Sequence, residues 1–192
     1  MKKIINSVLI ITVILTAFAF TNPTKEKVPI KESTILWEGK KITGSSHSGT
    51  VALKDGYFEI ENDLFVGGKF VIDMTSITNT DIESEESKLK LESHLKSEDF
   101  FGVNEFPTAT LVIDGVEQLE EAKHFKVHST LTIKGISNPV DFKISAEDRV
   151  ATVHLEIDRS KFNVRYGSDS FFDNLGNRAI SDMMSLDITL KY

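Results

Sequence analysis

Hydrophobic and polar residues alternate one by one along much of the chain. In residues 125–134, phenylalanine, valine, leucine and isoleucine occupy one phase of the alternation, whereas lysine, histidine and threonine occupy the other. The same pattern recurs at residues 140–145, 153–158 and 186–191. Because successive side chains of a strand point to opposite faces, the pattern predicts β-strands with one buried face and one wet face. Such strands are typical of antiparallel sheets.

Turn-forming residues separate these runs, as in Lys54-Asp55-Gly56, Gly67-Gly68 and Asn138-Pro139. The spacing gives about ten strand candidates, some of which can be continuous in the fold. Many antiparallel strands with one apolar face each favour closure, since a barrel has no exposed edges. We therefore predict an all-β fold, with a barrel of about eight strands favoured over a sandwich.

One segment, residues 80–97, departs from the alternation and has a helical composition. Thr80 and Glu83 match the capping-box spacing, and Glu86–Lys90 and Glu92–Lys96 are favourable i,i+4 pairs. These signals predict one short helix around residues 81–97. Its few apolar residues are chiefly leucines, so we expect it to cover a surface or a barrel mouth.

The beginning of the chain resembles a secretory signal peptide. Two lysines precede an uncharged apolar stretch from Ile4 to Phe20, and Ala17-Phe18-Ala19 fits the cleavage pattern. We predict a signal peptide at residues 1–19, a leading arm at 20–33 and the barrel domain at 34–192, with an uncleaved membrane anchor as the alternative. The protein is then periplasmic or secreted.

Composition removes several classes of function. The chain has no cysteine, which excludes disulfides, thiolate nucleophiles and cysteine-ligated metals. Its net charge of −7 argues against nucleic-acid binding, because phosphate contacts need clustered lysine and arginine. Thirteen phenylalanines against one tryptophan and three tyrosines indicate a large purely apolar surface to bury.

Catalytic and metal-binding motifs are not found. His124 and His128 have a chelating spacing only on a helix, and here they fall in a predicted strand, where four residues span about 13 Å. The sequence has no H-E-x-x-H or G-x-S-x-G pattern. We therefore expect no catalytic residue, no metal and no cofactor. The phenylalanine pairs Phe100-Phe101 and Phe171-Phe172 are predicted to form apolar plugs at a barrel end.

Five stretches carry a resemblance to a known family. They are residues 37–41 (WEGKK), 47–51 (HSGTV), 67–74 (GGKFVIDM), 88–108 and 131–136 (LTIKGI). In this order and spacing, the chain resembles the YceI-like, polyisoprenoid-binding proteins over nearly all of its length after the signal peptide. It departs from the family's Arg-x-Asp-Phe-Gly pattern at residues 159–166 and adds residues 167–179, which include FFDNLG.

The resemblance implies an extended lipocalin-like antiparallel barrel with a long apolar tunnel. It implies an exported, non-enzymatic protein that holds a long-chain isoprenoid or similar amphiphile, such as a polyprenyl phosphate, an isoprenoid quinone or a fatty amide. Transport, storage and stress protection are the roles to expect.

Inward residues of the predicted strands become the candidate tunnel lining. They are Trp37, Val51, Leu53, Phe70, Ile72, Leu111, Ile113, Leu131, Phe142, Leu155, Val164, Leu186 and Ile188. The two phenylalanine pairs become the tunnel mouth, and His47 and Arg165 are the candidates for contacts to a polar head group.

Two rival functions stay open from the sequence. One is an enzyme, a hydrolase or isomerase, that acts on such a lipid and carries an acid–base pair in the tunnel. The other is an interaction protein with a fully packed barrel. The expected partner is the lipid itself, and the sequence also allows a transient membrane contact and a homodimer.

Overall fold

A computed structural model of the protein describes residues 25–62 and 64–192. The predicted signal peptide lies outside the described residues. The described part forms nine strands, one α-helix and two short 3-10 helices, at Arg159–Phe162 and Gly176–Arg178. The other elements are β1 (Glu26–Pro29), β2 (Glu32–Lys41), β3 (Ser46–Glu61), β4 (Leu64–Asn79), α1 (Glu85–Lys96), β5 (Thr108–Gln118), β6 (His124–Ile133), β7 (Ile136–Glu147), β8 (Val150–Asp158) and β9 (Ile180–Lys191).

Eight of the strands close into an antiparallel barrel. Strands β2 to β9 pair in chain order, and β9 pairs back onto β2 from Glu32↔Lys191 to Lys41↔Ile180. The predicted all-β barrel of about eight strands with one short helix is confirmed.

The extra strand, β1, pairs with the second half of β3, where Pro29 faces Tyr57. It lies inside the segment predicted as a leading arm, residues 20–33. Four residues are too few for an alternation to stand out, so the sequence pattern does not indicate this strand.

The alternation places the apolar phase of each strand inside the barrel. On β6, Val127, Leu131 and Ile133 are buried, whereas the outward residues His128, Thr130 and Thr132 are half-buried. Ser129 also faces inward, and its hydroxyl donates to the carbonyl of Val140 at 2.6 Å. A buried hydroxyl with a partner costs little, so this polar residue does not disturb the apolar interior.

Helix α1 starts later than the pattern indicates, and its N-cap differs. Ser84, not Thr80, caps the helix, and its side chain accepts from the backbone N–H of Ser87. The only buried residue of the helix is Leu95, and Glu92 fixes the helix to the end of β4 by accepting the N–H of Asn79 at 2.8 Å. The helix and the turn after it therefore cover one end of the barrel.

Candidate functional site

An apolar cavity of about 160 Å³ lies inside the barrel. Every strand from β2 to β9 contributes inward side chains to its wall, and Leu95, Phe100 and Phe101 add to it at the α1 end. The surface presented to this space is entirely apolar. Its size is close to that of an engineered cavity of about 150 Å³ that stays dry and binds benzene. The space therefore suits a slender hydrocarbon and offers nothing to water.

The structure places twelve of the thirteen candidate tunnel residues on the cavity wall. The thirteenth, Val164, is fully buried in the turn after β8 and does not line the cavity. The twelve are Trp37, Val51, Leu53, Phe70, Ile72, Leu111, Ile113, Leu131, Phe142, Leu155, Leu186 and Ile188.

Sequence reasoning missed other lining residues, for two reasons. Ile35, Ile133 and Leu190 continue the same period-2 alternation and could have been found by extending it. Met74 likewise continues the phase of Phe70 and Ile72. Ile77 does not, because the β3–β4 register shifts between Asp73 and Thr78, so simple alternation loses the inward phase there.

Among the described residues, Arg159 is the one ionisable residue on the cavity wall, and it is 1% exposed. Its guanidinium donates to four backbone carbonyls at 2.9–3.0 Å, those of Val164, Tyr166, Ile180 and Ser181. Its Nη2 also lies 3.3 Å from a carboxylate oxygen of Asp182, an ion pair without hydrogen-bond geometry. Burial lowers the pKa of Arg159, and the charge of Asp182 opposes that shift.

These contacts give Arg159 a positioning role. Because its donors are already occupied, the side chain is not available to a ligand. It holds the turn after β8 against the start of β9, and its Cζ lies 5.5 Å from the centre of the Phe100 ring.

Aromatic side chains close both ends of the barrel. At the β3–β4 turn, the Phe58 ring packs edge-on against Phe65, Phe70 and Tyr192, with centroids 4.9–5.2 Å apart. At the α1 end, Phe100 and Phe101 are each 6% exposed, and their rings lie 5.0 Å apart.

The second predicted phenylalanine pair lies outside this closure. Phe171 and Phe172 are 39% and 49% exposed, in the irregular stretch that precedes β9. Phe172 lines an outer pocket that lies beyond the buried phenylalanines. The four residues predicted as one mouth thus form an inner plug and an outer rim.

The outer pocket has a volume of about 650 Å³ and carries three cationic side chains, Lys134, Arg165 and Arg178. The other lining residues are Glu98, Asp99, Asn163, Tyr166, Gly167, Phe172 and Leu175. Arg165 stacks over Phe171, with its Cζ 5.0 Å from the ring centre, and its Nε donates to the side chain of Asn163.

Lys134 is the most constrained of these cations. Its Nζ donates to the carbonyls of Phe100 at 2.8 Å and Glu98 at 3.3 Å, so it fixes the turn after α1. Burial lowers the pKa of the Lys134 ammonium, and the nearby Arg165 guanidinium lowers it further, whereas Glu105 and Asp99 act in the opposite direction.

The second head-group candidate, His47, lines neither the cavity nor the outer pocket. Its Nδ1 lies 2.9 Å from a carboxylate oxygen of Asp81, and the other oxygen of Asp81 accepts the N–H of Ser48. Across the described ranges, no group of three or more histidine, aspartate or glutamate side chains is arranged to hold a metal ion.

Comparison with known proteins points to one family. The model of the YceI-like domain matches residues 27–192. No curated protein sequence matches the chain.

Solved structures share the fold at low sequence identity. BcnA of Burkholderia cenocepacia superposes with a TM-score of 0.59 at 19% identity, over 82% of this chain and 94% of that one. A polyisoprenoid-binding domain from Saccharophagus degradans, implicated in plant cell wall breakdown, gives 0.56 at 16% identity, over 85% and 95%. The YceI protein of Campylobacter jejuni gives 0.52 at 16%, over 100% and 98%.

Proposed function

The chain belongs to the YceI-like family, and on that premise we propose that it is an exported carrier of a long-chain isoprenoid or similar amphiphile. The ligand is a polyprenyl phosphate, an isoprenoid quinone or a fatty amide, held for transport, storage or stress protection. The observation that supports this proposal is the cavity itself, which is apolar throughout and receives side chains from all eight barrel strands. The similar domain from Saccharophagus degradans is described as polyisoprenoid-binding, in agreement with this ligand class.

The size and composition of the cavity favour a thin flexible chain. Each buried methylene contributes about 0.8 kcal/mol before the costs of binding. A ligand longer than the present space needs side chains that can move, and Met74 and Met184 on the wall are the adaptable ones. Such a site selects for length and apolarity more than for chemical identity.

The outer pocket is the proposed place for an anionic head group. The mutual repulsion of Lys134 and Arg165 is relieved when an anion binds between them. Arg165 offers a planar fork suited to phosphate, and Arg178 lines the same pocket. His47 lies outside this pocket, with its ring against Asp81 on the outside of the barrel. It stays a candidate for polar contacts to the ligand, separate from the three cationic residues of the pocket.

Two observations favour a carrier over the rival functions. An enzyme acting on the chain needs an acid–base pair facing the cavity, but the ionisable side chain that reaches it among the described residues is Arg159, whose donors are occupied. A packed-barrel interaction protein needs no internal space, whereas this barrel keeps a cavity of about 160 Å³.

Export and membrane contact are part of the proposal. The apolar leader at residues 1–19 directs the chain to the periplasm or the medium. A carrier of a membrane lipid exchanges its cargo at a bilayer, so a transient contact with the membrane follows from the ligand class.

The test is native mass spectrometry and lipid extraction of the protein purified from the compartment to which it is exported. We expect a co-purifying amphiphile in a one-to-one complex. Ala109→Leu extends an inward side chain into the cavity and should lower the bound fraction, whereas Thr110→Leu adds the same side chain on the neighbouring outward position and should not. A protein that carries no amphiphile, and takes up neither quinone nor polyprenyl lipid, would contradict the proposal.

A further inference from the structure

Two neighbouring strands of the barrel are paired over only a small part of their length. The ladder between β7 and β8 runs from Ile144↔Val153 to Glu147↔Val150. Residues 136–143 of β7 and 154–158 of β8 extend beyond it with no strand pairing between them, although β6 and β9 pair them on their other sides. We call the strip between these two stretches the seam.

The sequence of β7 suits an unpaired edge. Pro139 lies within the stretch and has no N–H to donate, and proline is tolerated in a strand mainly at an edge. Extending the register of the ladder by three residues on each side places Asp141 opposite Glu156. Two like charges facing each other oppose pairing.

The seam is covered at one end only by a short turn. The 3-10 helix Arg159–Phe162 packs against β7, and the amide of Asn138 donates to the carbonyl of Lys161 at 3.0 Å. Along the rest of the seam, no strand pairing closes the wall between β7 and β8.

The inward residues of the two seam strands differ in burial. Val140 and Phe142 of β7 are half-buried, whereas Leu155 and Ile157 of β8 are buried. Phe142, Leu155 and Ile157 all line the cavity. Phe142 therefore lines the cavity while only half-buried, but Leu186 and Ile188 of the fully paired β9 do the same, so the missing ladder and not the burial marks the seam.

Neither end of the barrel offers a comparable route. The Phe58 cluster fills one end, and Phe100 and Phe101 fill the other, where Lys134 and Arg159 fix the adjoining turns. Opening either end requires several interlocked aromatic rings to move together. Opening the seam breaks no β-ladder and requires that side chains such as Phe142, which lines the cavity, move aside.

We infer that the seam between β7 and β8 is the entrance to the cavity, through which the chain of an amphiphile passes sideways. This inference rests on the proposed function, since it assigns a route to the ligand proposed above. It also separates two roles, because the outer pocket then holds the head group and the seam admits the chain.

The absence of cysteine allows a direct test by cross-linking. Oxidation of the double variant Asp141→Cys/Glu156→Cys would draw the two strands together across the seam, because a disulfide holds its two Cα atoms about 4.4–6.8 Å apart, the range of paired strands. The probe is cis-parinaric acid, a fluorescent long-chain fatty acid, and the readout is its association rate by stopped flow. We expect oxidation to slow association about tenfold or more, and reduction to restore it.

The matched control is Glu156→Cys/Ser185→Cys, which cross-links β8 to the strand with which it already pairs. Oxidation of this variant should leave the rate unchanged. Equal rates for the oxidised and reduced seam variant would overturn the inference and assign entry to a barrel end. Failure of every form to bind the probe would instead contradict the proposed function.

A second variant decides the question if the seam disulfide does not form. Phe142→Ala widens the seam and should speed both association and release of the probe about fivefold or more. Leu111→Ala removes an inward side chain from a strand that is paired on both sides at that position and lies outside both end closures, and should change affinity without speeding exchange. Unchanged exchange in the Phe142→Ala variant would overturn the inference.

Discussion

Replacing Arg159 by methionine should be among the most damaging single substitutions in the protein. The change keeps most of the side-chain volume but removes four hydrogen bonds to backbone carbonyls and the partner of Asp182. Breaking a buried ion pair by removing one member costs about 3–5 kcal/mol. The loss of four charge-assisted hydrogen bonds alone would sum to a larger cost. We expect water to reach some of the freed carbonyls and reduce it, because Tyr166, whose carbonyl is one of the four, is 46% exposed.

The assay is equilibrium unfolding in urea, followed by the fluorescence of Trp37, the single tryptophan of the chain. We expect the Arg159→Met variant to lose about 3–5 kcal/mol of unfolding free energy, a large part of the usual 5–15 kcal/mol. Arg178→Met is the control, since Arg178 is an exposed arginine for which the described residues show no ion pair. It should change stability by no more than about 0.5 kcal/mol. A loss below about 1 kcal/mol for Arg159→Met would refute the positioning role.

Two further substitutions test the barrel wall. Gly49→Ala should lower the unfolding free energy by about 1–3 kcal/mol, because the added Cβ would lie 1.8 Å from the carbonyl oxygen of Thr78. The same oxygen accepts the Trp37 indole N–H, so the Trp37 emission should shift as well. Unchanged unfolding and emission would contradict this packing. His128→Gln tests a pH-dependent contact, because hydrogen bonds to Asp141 and Glu117 raise the pKa of His128. A raised pKa in the folded state stabilises the protein fully below the ordinary value of 6.5, and this contribution is lost as the pH rises through the folded-state pKa. The denaturation midpoints of the wild type and the variant should therefore differ more below pH 6.5 than well above it, and a pH-independent difference would argue against the contact.

The strand pattern predicts most of the fold because burial in a barrel depends on local alternation. The inward phase of β6 follows directly from its sequence, and so does most of the cavity wall. Bulges break this rule, which is why Ile77 is not found by alternation. The predicted N-cap of the helix is also wrong. Thr80 and Ser84 are both residue types that suit an N-cap, and the position at which β4 ends determines that Ser84 takes this role.

Long-range contacts carry what the sequence could not predict. Arg159 falls on the inward phase after Val153, Leu155 and Ile157, so its burial has a signal in the sequence. Two of its carbonyl partners, Ile180 and Ser181, come from the start of β9, and no sequence pattern indicates that contact. The seam likewise depends on where one ladder ends. In the sequence, the seam is indicated by Pro139, because proline does not suit a strand that is paired on both sides.

The central claim, that an apolar chain lies inside the barrel, is tested most directly at Trp37. Its indole is 8% exposed and lines the cavity, and the chain has no other tryptophan. Fatty acids brominated at different positions along the chain quench tryptophan only at contact distance. We predict saturable one-to-one quenching that is stronger for bromine in the middle of the chain than for bromine next to the carboxylate. Binding of these fatty acids with no quenching of Trp37 would contradict the claim.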